Sequence, residues 1–371
     1  MNITHAQGEQ IDDSITNFMT RWNIRGSQFT LGYKNSIIYS KGYNYADDNG
    51  DKVSTMSLFR IASLTKTFTA VGIMQLVEQD QIHLTDKVLD PDLLGDTENI
   101  LADPRLKKIT IDMLLHHLGG WDRDEDGDPT FSPRTVSNIA NVPSPPSKEI
   151  MIRYILQSMM LEHDPGTKYA YSNIGYLLLG RIIEKKSGLS YEDYIKQHVL
   201  NKAGIEDMTI GDSRTAYPNE VHYYDYKFAP SVMSCFDSTQ VARPYGGFNM
   251  QTMDSFGGWI ATSTDLVKYL FFLQSKDNGP FIKPETLAIL LTPDPHSEDY
   301  AMGIEVKNGN WSHNGSLPGT TSQFLHTGKG FDCAILFNSR PKEDKTSKEE
   351  KTMSKQMKEL LEHIVANLKN N

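Results

Sequence analysis

Serine is a poor nucleophile at neutral pH, so a serine that is to be acylated needs a proton acceptor within hydrogen-bond reach. Ser63-Leu64-Thr65-Lys66 supplies one. Three residues apart on a helix, the two side chains share a face, and the Lys66 amine points back at the Ser63 hydroxyl one turn earlier. Ser63 also opens a predicted helix over 63–79, where the dipole and free backbone N–H groups favour developing negative charge. A lysine accepts a proton only as the neutral amine, which requires desolvation or neighbouring positive charge. Tyr171-Ser172-Asn173 offers a phenol and an amide two residues apart, on one side of an extended or turn segment, to complete a proton relay. His313-Asn314-Gly315-Ser316 falls at the end of a predicted strand. There Gly315 would let a substrate lie against the backbone, and a strand-end N–H could point at a carbonyl oxygen. Nucleophile, base and donors all come from the chain, so no metal and no organic cofactor is expected.

Each short motif has copies that show how little it means without its flanks. Ser339-Arg340-Pro341-Lys342 repeats the serine–lysine spacing, but Pro341 argues against an uninterrupted helix. Tyr33-Lys34-Asn35 lies inside a predicted hairpin, and His117-Leu118-Gly119 and His326-Thr327-Gly328 share the spacing of the third motif. Asp122, Asp124, Asp126 and Gly127 match the start of a calcium-binding loop, yet its twelfth position is Pro133 rather than Glu, so a solvated acidic loop is expected. The adjacent imidazoles of His116 and His117 would point in different directions. Trp259 and the run Tyr223-Tyr224-Asp225-Tyr226 read as packing or as cleft walls.

The elements that must position these groups follow from periodicity. Ile11, Ile15, Phe18, Met19 and Trp22 mark an amphipathic first helix. Residues 28–33 and 36–43 form a hairpin about Lys34-Asn35, and the helix carrying Ser63 follows. Residues 81–253 are mostly helices and loops, with helices at 148–161, 174–186 and 191–200; Ser190 with Asp193 resembles a capping box, and Gly188 and Gly204 sit at helix C-caps. A second β-rich block spans 300–306, 310–313, 321–326 and 331–338, with Asn308-Gly309 and Gly328–Gly330 as turns. The final helix puts Met353, Met357, Leu360, Leu361, Ile364, Val365 and Leu368 on one stripe. Lys342–Lys358 reads as a solvated helix face. An α/β (α+β) architecture results. One antiparallel sheet is built from both chain ends (1–80 and 254–371), a mostly helical subdomain (81–253) is inserted, and the site lies in the cleft between them.

Composition narrows the function classes. The 371 residues carry a formal net charge of −10, so no global positive field is available to hold phosphate backbones or an anionic membrane. Nucleic acid is not an expected partner. Cys235 and Cys333 lie far apart without His or Cys at metal-ligand spacing, which argues against a disulfide framework and a structural zinc. No apolar run reaches the roughly 18 residues of a membrane span. The N-terminus lacks the basic and apolar regions of a secretory signal, which suggests a cytoplasmic protein or a processed form of a secreted or periplasmic one.

With these elements in this order, the sequence resembles the serine β-lactamases of the class C type, the D-alanyl-D-alanine carboxypeptidases and related esterases. The resemblance covers most of the chain. It is strongest over residues 59–70, FRIASLTKTFTA, and 165–176, PGTKYAYSNIGY; 114–120, LLHHLGG, and 257–262, GGWIAT, look like the family's connecting segments. The β-lactamase/transpeptidase-like fold is what this resemblance implies. It also implies that Ser63 is the acylated nucleophile, that Lys66 is its base or proton shuttle, and that Tyr171 activates water or passes a proton to the leaving group. Asn173 would orient substrate, and the backbone N–H groups of Ser63 and Ser316 would form the oxyanion hole. Because the dominant proton acceptor is disputed in this superfamily, Lys66 and Tyr171 are assigned jointly. His313 and Gly315 stand where the family usually has Lys and Gly of a Lys-Thr-Gly triplet.

That departure removes a permanent charge and a hydroxyl suited to a substrate carboxylate. Esters or D-amino-acid amides and peptides are therefore expected over β-lactams. An unperturbed imidazole titrates near pH 6.5, so anionic substrates should gain as the pH falls through that region. The expected partner is a small-molecule or short-peptide acyl substrate, and the sequence carries no signal for an oligomeric state. An acyltransferase on the same site, or a silent ligand-binding or scaffold relative, are the alternatives. Retention of Ser63, Lys66, Tyr171 and Asn173 favours the enzyme.

Overall fold

Thr4 and Gln7 close a capping box at the start of helix α1 (His5–Trp22). The threonine hydroxyl accepts from the Gln7 N–H at 3.3 Å, and the Gln7 side chain accepts from the Thr4 N–H at 2.9 Å. The computed structural model that begins with this helix describes residues 1–44, 52–94, 101–275, 281–341 and 352–368. Strands β1 (Gly26–Tyr33) and β2 (Ser36–Asn44) follow as a hairpin whose turn residues, Lys34 and Asn35, both have positive φ, 48° and 62°. A short strand β3 (Phe59–Arg60) then leads into α2 (Thr65–Glu78).

Helices α3 (Ile111–Leu115), α4 (Pro133–Ala140), α5 (Lys148–Ser158), α6 (Asn173–Ser187) and α7 (Tyr191–Ile195) follow in the middle of the chain, separated by long loops and turns. Strands β4 (Thr209–Ile210), β5 (Val232–Met233), β6 (Gln240–Val241) and β7 (Trp259–Ala261) come next, then α8 (Ser263–Leu273) and α9 (Pro284–Leu290). The last strands are β8 (Glu305–Lys307), β9 (Asn310–Leu317), β10 (Thr320–His326) and β11 (Phe331–Phe337), before α10 (Met353–Asn367).

Six strands form one antiparallel sheet in the order β2-β1-β11-β10-β9-β8, so the two ends of the chain meet where β1 pairs with β11. Side chains alternate across a strand. Phe29 and Leu31 of β1 join Ile335 and Phe337 of β11 beneath α1 and α10, which bury Ile11, Ile15, Phe18, Leu361, Ile364 and Val365. Gln28 and Thr30 turn to the opposite face, where α8 starts: the Ser263 N–H donates to Gln28 Oε1 at 2.5 Å, and the Ser263 and Thr30 hydroxyls lie 2.8 Å apart. Both faces of β1 and β11 are thereby covered.

A smaller sheet, β3-β7-β4, ties the strand before Ser63 to the middle of the chain. Every residue of α2 from Thr65 to Leu76 is buried. Five of them, Phe68, Val71, Ile73, Met74 and Leu76, together contribute on the order of 10 kcal/mol of gross apolar burial. Site residues on this helix thus sit on a rigid support. Among the described residues no helix is long and apolar enough to cross a membrane. Both cysteines are buried and free.

Several local expectations need correction. Ser63 does not open the α-helix: Ala62–Leu64 is one turn of 3₁₀-helix and α2 begins at Thr65. The strand read over 310–313 runs on through Gly315 to Leu317, so the third motif forms the end of β9 itself, in register with β10. Most of 300–306 is not a strand; only residues from Glu305 pair with β9, and Tyr300 makes an isolated bridge back to Glu305. Residues 191–200 split into α7 and a wider turn over Lys196–Leu200. Helix α8 went unread because its apolar residues run around the helix instead of forming a stripe, although Thr262 and Asp265 make a capping box. Of the Lys342–Lys358 stretch, 342–351 lies outside the described residues, as does Lys342 of the second serine–lysine copy. From Met353 onward the stretch buries Met353 and Met357 and exposes Lys355.

Candidate active site

The turn that carries Ser63 is held by the far end of the chain. The Thr320 hydroxyl of β10 donates to the Arg60 carbonyl at 2.9 Å, and the Ser322 hydroxyl donates to the Ile61 carbonyl at 2.7 Å. Gly315, opposite Ser322 in the ladder, lets β9 press onto the same turn: a Cβ there would stand 2.3 Å from the Ile61 carbonyl oxygen and 2.3 Å from the Ser322 hydroxyl. The space expected to receive substrate at Gly315 is therefore filled by the segment before the serine. Arg60 anchors that segment from the other side. Its buried guanidinium donates to the Pro244 carbonyl at 2.7 Å and lies over the Tyr223 ring at 4.2 Å, with Glu220 3.5 Å away. Between these clamps Ala62 is forced to φ 50°, a left-handed conformation that non-glycine residues adopt at a cost.

Lys66, one turn after the serine in the first turn of α2, holds its Nζ 3.3 Å from Ser63 Oγ. Its other partners are two oxygens that can only accept, Asn173 Oδ1 at 2.7 Å and the Phe256 carbonyl at 2.9 Å. Complete burial, with the positive charge of Arg123 nearby, holds the Lys66 pKa well below its ordinary value, against the pull of Asp128. A neutral amine has two hydrogens and one lone pair. In that form its hydrogens go to the two acceptors and its lone pair is left for the Ser63 hydroxyl; as the ammonium it donates to all three oxygens. Asn173 is fixed in turn, since its amide nitrogen donates to Asp128 Oδ2 at 2.7 Å, and Asp128 Oδ1 accepts from the Thr130 N–H at 3.0 Å. With its oxygen on Lys66 and one hydrogen on Asp128, Asn173 retains one N–H for a substrate.

Tyr171 precedes α6 by two residues. Lys66 Nζ lies 4.9 Å from its ring centroid, the His117 ring 4.2 Å and the Arg123 guanidinium carbon 4.6 Å. The phenol oxygen is buried with no hydrogen-bond partner at normal length. Burial pushes its pKa up, and the Ser63 hydroxyl and Arg123 pull the other way without reversing this. Tyr171 is therefore a protonated phenol facing the serine, not a phenolate.

His313 sits in a chain of hydrogen bonds that settles every proton. The Ser172 N–H donates to His117 Nδ1 at 3.1 Å, so His117 carries its hydrogen on Nε2, which lies 3.1 Å from the Tyr300 hydroxyl. The Tyr300 hydroxyl is then free to donate to His313 Nε2, also at 3.1 Å, and His313 Nδ1–H donates to the Asn314 carbonyl at 2.7 Å. Burial lowers the His313 pKa to about 4, with Lys66 lowering and Glu305 raising it. The expectation that His313 titrates near pH 6.5 is thus corrected. Both its nitrogens are engaged by the protein, and the ring stays neutral through the physiological range.

Ser316 is exposed on β9. Since Leu317 and Thr320 close a two-residue turn, ladder alternation directs the Ser316 N–H away from β10, and β8 reaches only to Ser312. His116 and His117 do point apart, as His116 bonds to the carbonyls of Asp112 and Thr292. Asp122, Glu125 and His163 could surround a cation, but the Lys168 ammonium already lies 2.9 Å from His163 Nε2 and 3.6 Å from Asp122. Trp259 and Tyr223 are buried packing residues, and the Tyr223 hydroxyl accepts from the Arg60 N–H at 3.0 Å. Asp128, Arg123, Tyr300 and the Phe256 carbonyl were not anticipated from sequence. His117 was set aside as a chance copy, though it lies in one of the segments resembling the family.

Comparison with known proteins is consistent with this geometry. The family model described as Beta-lactamase matches residues 11–351. The D-amino acid amidase of Ochrobactrum anthropi SV3, solved in complex with L-phenylalanine, superposes with a TM-score of 0.74 at 21% identity over 98% of this chain and 99% of that one. The likeness shows a shared fold. Protein flp of Staphylococcus aureus (strain MW2) is 26% identical over 350 residues, 91% of this chain and 64% of its own length. Penicillin-binding protein 4* of Bacillus subtilis (strain 168) is 30% identical over 199 residues, 53% of this chain and 40% of its own. The chain thus spans less than two thirds of the length of either curated relative.

Proposed function

Because the chain belongs to the beta-lactamase family, we propose that it is a serine hydrolase working through an acyl-enzyme on Ser63, cleaving esters or D-amino-acid amides and peptides and acting weakly on β-lactams. The observation that carries this reading is the Lys66 amine, desolvated and with its hydrogens directed at Asn173 and Phe256, 3.3 Å from the Ser63 hydroxyl. The cleft would be walled by the sheet part, 1–80 and 254–371, and the helical part, 81–253.

In the proposed cycle Ser63 Oγ attacks the substrate carbonyl and gives its proton to Lys66. The oxyanion is met by the Ser63 and Ser316 N–H groups. As the intermediate collapses, the bond to the leaving group breaks, Tyr171 protonates that group, and the phenolate recovers its proton from the Lys66 ammonium. Water then attacks the acyl ester and gives a proton to the Lys66–Tyr171 pair; as the acyl C–Oγ bond breaks, the pair passes that proton to Ser63 Oγ, and the acid product leaves. A base and an acid acting in turn suit two groups whose environments hold the amine's pKa down and the phenol's up.

Support for the substrate range comes from His313. At the place of the Lys in a Lys-Thr-Gly triplet it is neutral and internally bonded, so a β-lactam carboxylate finds no charge there. Intact-mass measurement after exposure to a fluorophosphonate, with p-nitrophenyl esters, D-amino-acid amides and nitrocefin assayed alongside, tests the proposal. A single adduct on Ser63 and ester or amide turnover above nitrocefin turnover are expected; an unlabelled Ser63 would rule it out.

A further inference from the structure

The two oxygens that accept from Lys66 arrive on different parts of the chain. Asn173 opens α6, and the Phe256 carbonyl belongs to the segment between the 3₁₀ turn Met250–Met253 and β7. In its neutral form the amine needs both acceptors at once if its lone pair is to face Ser63. The separation of α6 from residues 254–256 therefore bears on the base. Gly180 of α6 lets the two come close, since a Cβ there would stand 2.4 Å from the Ser255 side chain. A glycine permits that approach without enforcing it.

The enforcing contact comes from Lys148, the first residue of α5. Its ammonium donates to Asp254 Oδ2 at 2.5 Å and to Glu184 Oε1 at 3.0 Å. Glu184 lies on α6, about three turns after Asn173, where Arg181 and the Tyr191 N–H also hold it. Asp254 is buried, and Lys148 is its one ion-pair partner among the described residues. The other Asp254 oxygen accepts from the Ser255 N–H at 2.7 Å, and the Ser255 carbonyl accepts from the Thr69 hydroxyl of α2 at 2.6 Å. One ammonium thus ties the helix that presents Asn173 to the segment that presents Phe256.

We propose that Lys148 is a positioning residue for the base: its ammonium pins α6 to residues 254–256 and so fixes the separation of the Asn173 and Phe256 oxygens around Lys66. The inference deepens the acyl-enzyme reading above and rests on it. Stability is a poor account of such a bridge. Desolvation offsets most of the attraction in a buried ion pair, so apolar groups of like size hold a core as well, whereas a bridge between two elements fixes their distance.

Fluorophosphonate labelling of Ser63 tests this. Ser63 Oγ bonds to phosphorus, fluoride leaves with its electron pair, and Lys66 takes the hydroxyl proton, so the reaction reads the base without an acid. In Lys148→Met, kinact should fall about 10-fold or more with KI within about 2-fold of the wild type, because the reacting groups are misplaced and the surface that meets the probe is not. Lys148→Met also strands a buried carboxylate and should lower the denaturation midpoint. The double variant Lys148→Met, Asp254→Asn removes that charge; its midpoint should recover and its kinact should stay low. Lys148→Arg, which can still span both carboxylates, should recover most of kinact.

If kinact returns with stability in the double variant, Lys148 only neutralises a buried charge and the proposal fails. It fails also if Lys148→Met labels as fast as the wild type, or if the loss of kinact follows the loss of stability across all three variants. A wild type that labels, with variants that label equally fast, overturns the Lys148 assignment alone. An unlabelled Ser63 in the wild type overturns the acyl-enzyme reading and the assignment together.

Discussion

The carboxylate of Asp128 lies 2.7 Å from the amide nitrogen of Asn173, and that contact decides which end of the amide faces Lys66. Asp128 does not touch the reacting atoms on this geometry; it is a positioning residue. Asp128→Asn would leave the Asn173 amide free to turn its nitrogen toward the amine. A fall in kcat of about 10-fold or more is expected, in line with hydrogen bonds to charged groups. Because the negative charge of Asp128 raises the Lys66 pKa, its loss should also move the acid limb of the kcat/KM profile to lower pH. A profile that drops in height without moving would assign Asp128 a purely structural part.

Ser63→Ala should abolish covalent labelling and turnover and leave the melting temperature within about 2 °C, since a half-exposed hydroxyl contributes little to stability. Residual turnover by an acyl-enzyme in this variant would point to another nucleophile.

Tyr171→Phe should separate activity from stability in an unusual direction. General acid–base groups typically contribute about 10²–10⁴-fold, so kcat should fall within that range. The phenol oxygen that is removed is buried and unpartnered, and deleting it relieves a desolvation cost. Chemical denaturation should show equal or greater stability than the wild type. Turnover close to that of the wild type would remove Tyr171 from the mechanism.

Neutral, buried His313 and His117 make a prediction about acid. In the unfolded chain both rings take up protons near pH 6.5, while the folded protein resists protonation at His313 down to about pH 4 and at His117 well below its ordinary value. Stability from these rings is therefore full above pH 6.5 and is lost as the pH falls, by about 1.4 kcal/mol per pH unit for each ring. Over pH 8 to 5.5 the preference between charged and neutral substrates should stay flat at His313. A rise in that preference centred on pH 6.5 would show that the ring titrates freely. Tyr300→Phe, which strands a ring nitrogen at each end of the chain, should cost roughly 2 kcal/mol or more at pH 7.

Exhaustive dialysis against EDTA should leave kcat unchanged. The carboxylate and imidazole atoms near Asp122 already share an internal cation in Lys168, so an added ion would meet charge repulsion there. Activity lost on chelation and regained with calcium or zinc would reverse this view.

The parts of the site that are legible in the sequence are those whose partners lie at helical or strand spacing. Ser63 and Lys66 are readable for that reason, the flanks of Tyr171 fix its position, and His313 follows from the order of motifs. What escapes is set by contacts across the fold. Lys66 is held by a backbone carbonyl at Phe256, an atom every residue possesses and no pattern marks. Asp128 and Arg123 share one acidic loop, and composition alone gave that loop a solvated reading. At Gly315 the close approach is made by the Ile61 carbonyl, because a strand glycine signals close approach without saying of what. The charge state of His313 was misjudged for a related reason: it depends on Tyr300, thirteen residues away across an irregular segment.

The hydroxyl of Ser322 grips the Ile61 carbonyl across 261 residues of chain. During synthesis the turn bearing Ser63 would emerge long before the strand that shapes it, so a nascent chain would carry the serine without the hydrogen bonds that clamp its turn. Contacts this distant are late and slow to form. Recovery of Ser63 labelling after dilution from denaturant would then report the closing of the sheet itself, and should lag behind the return of helical signal.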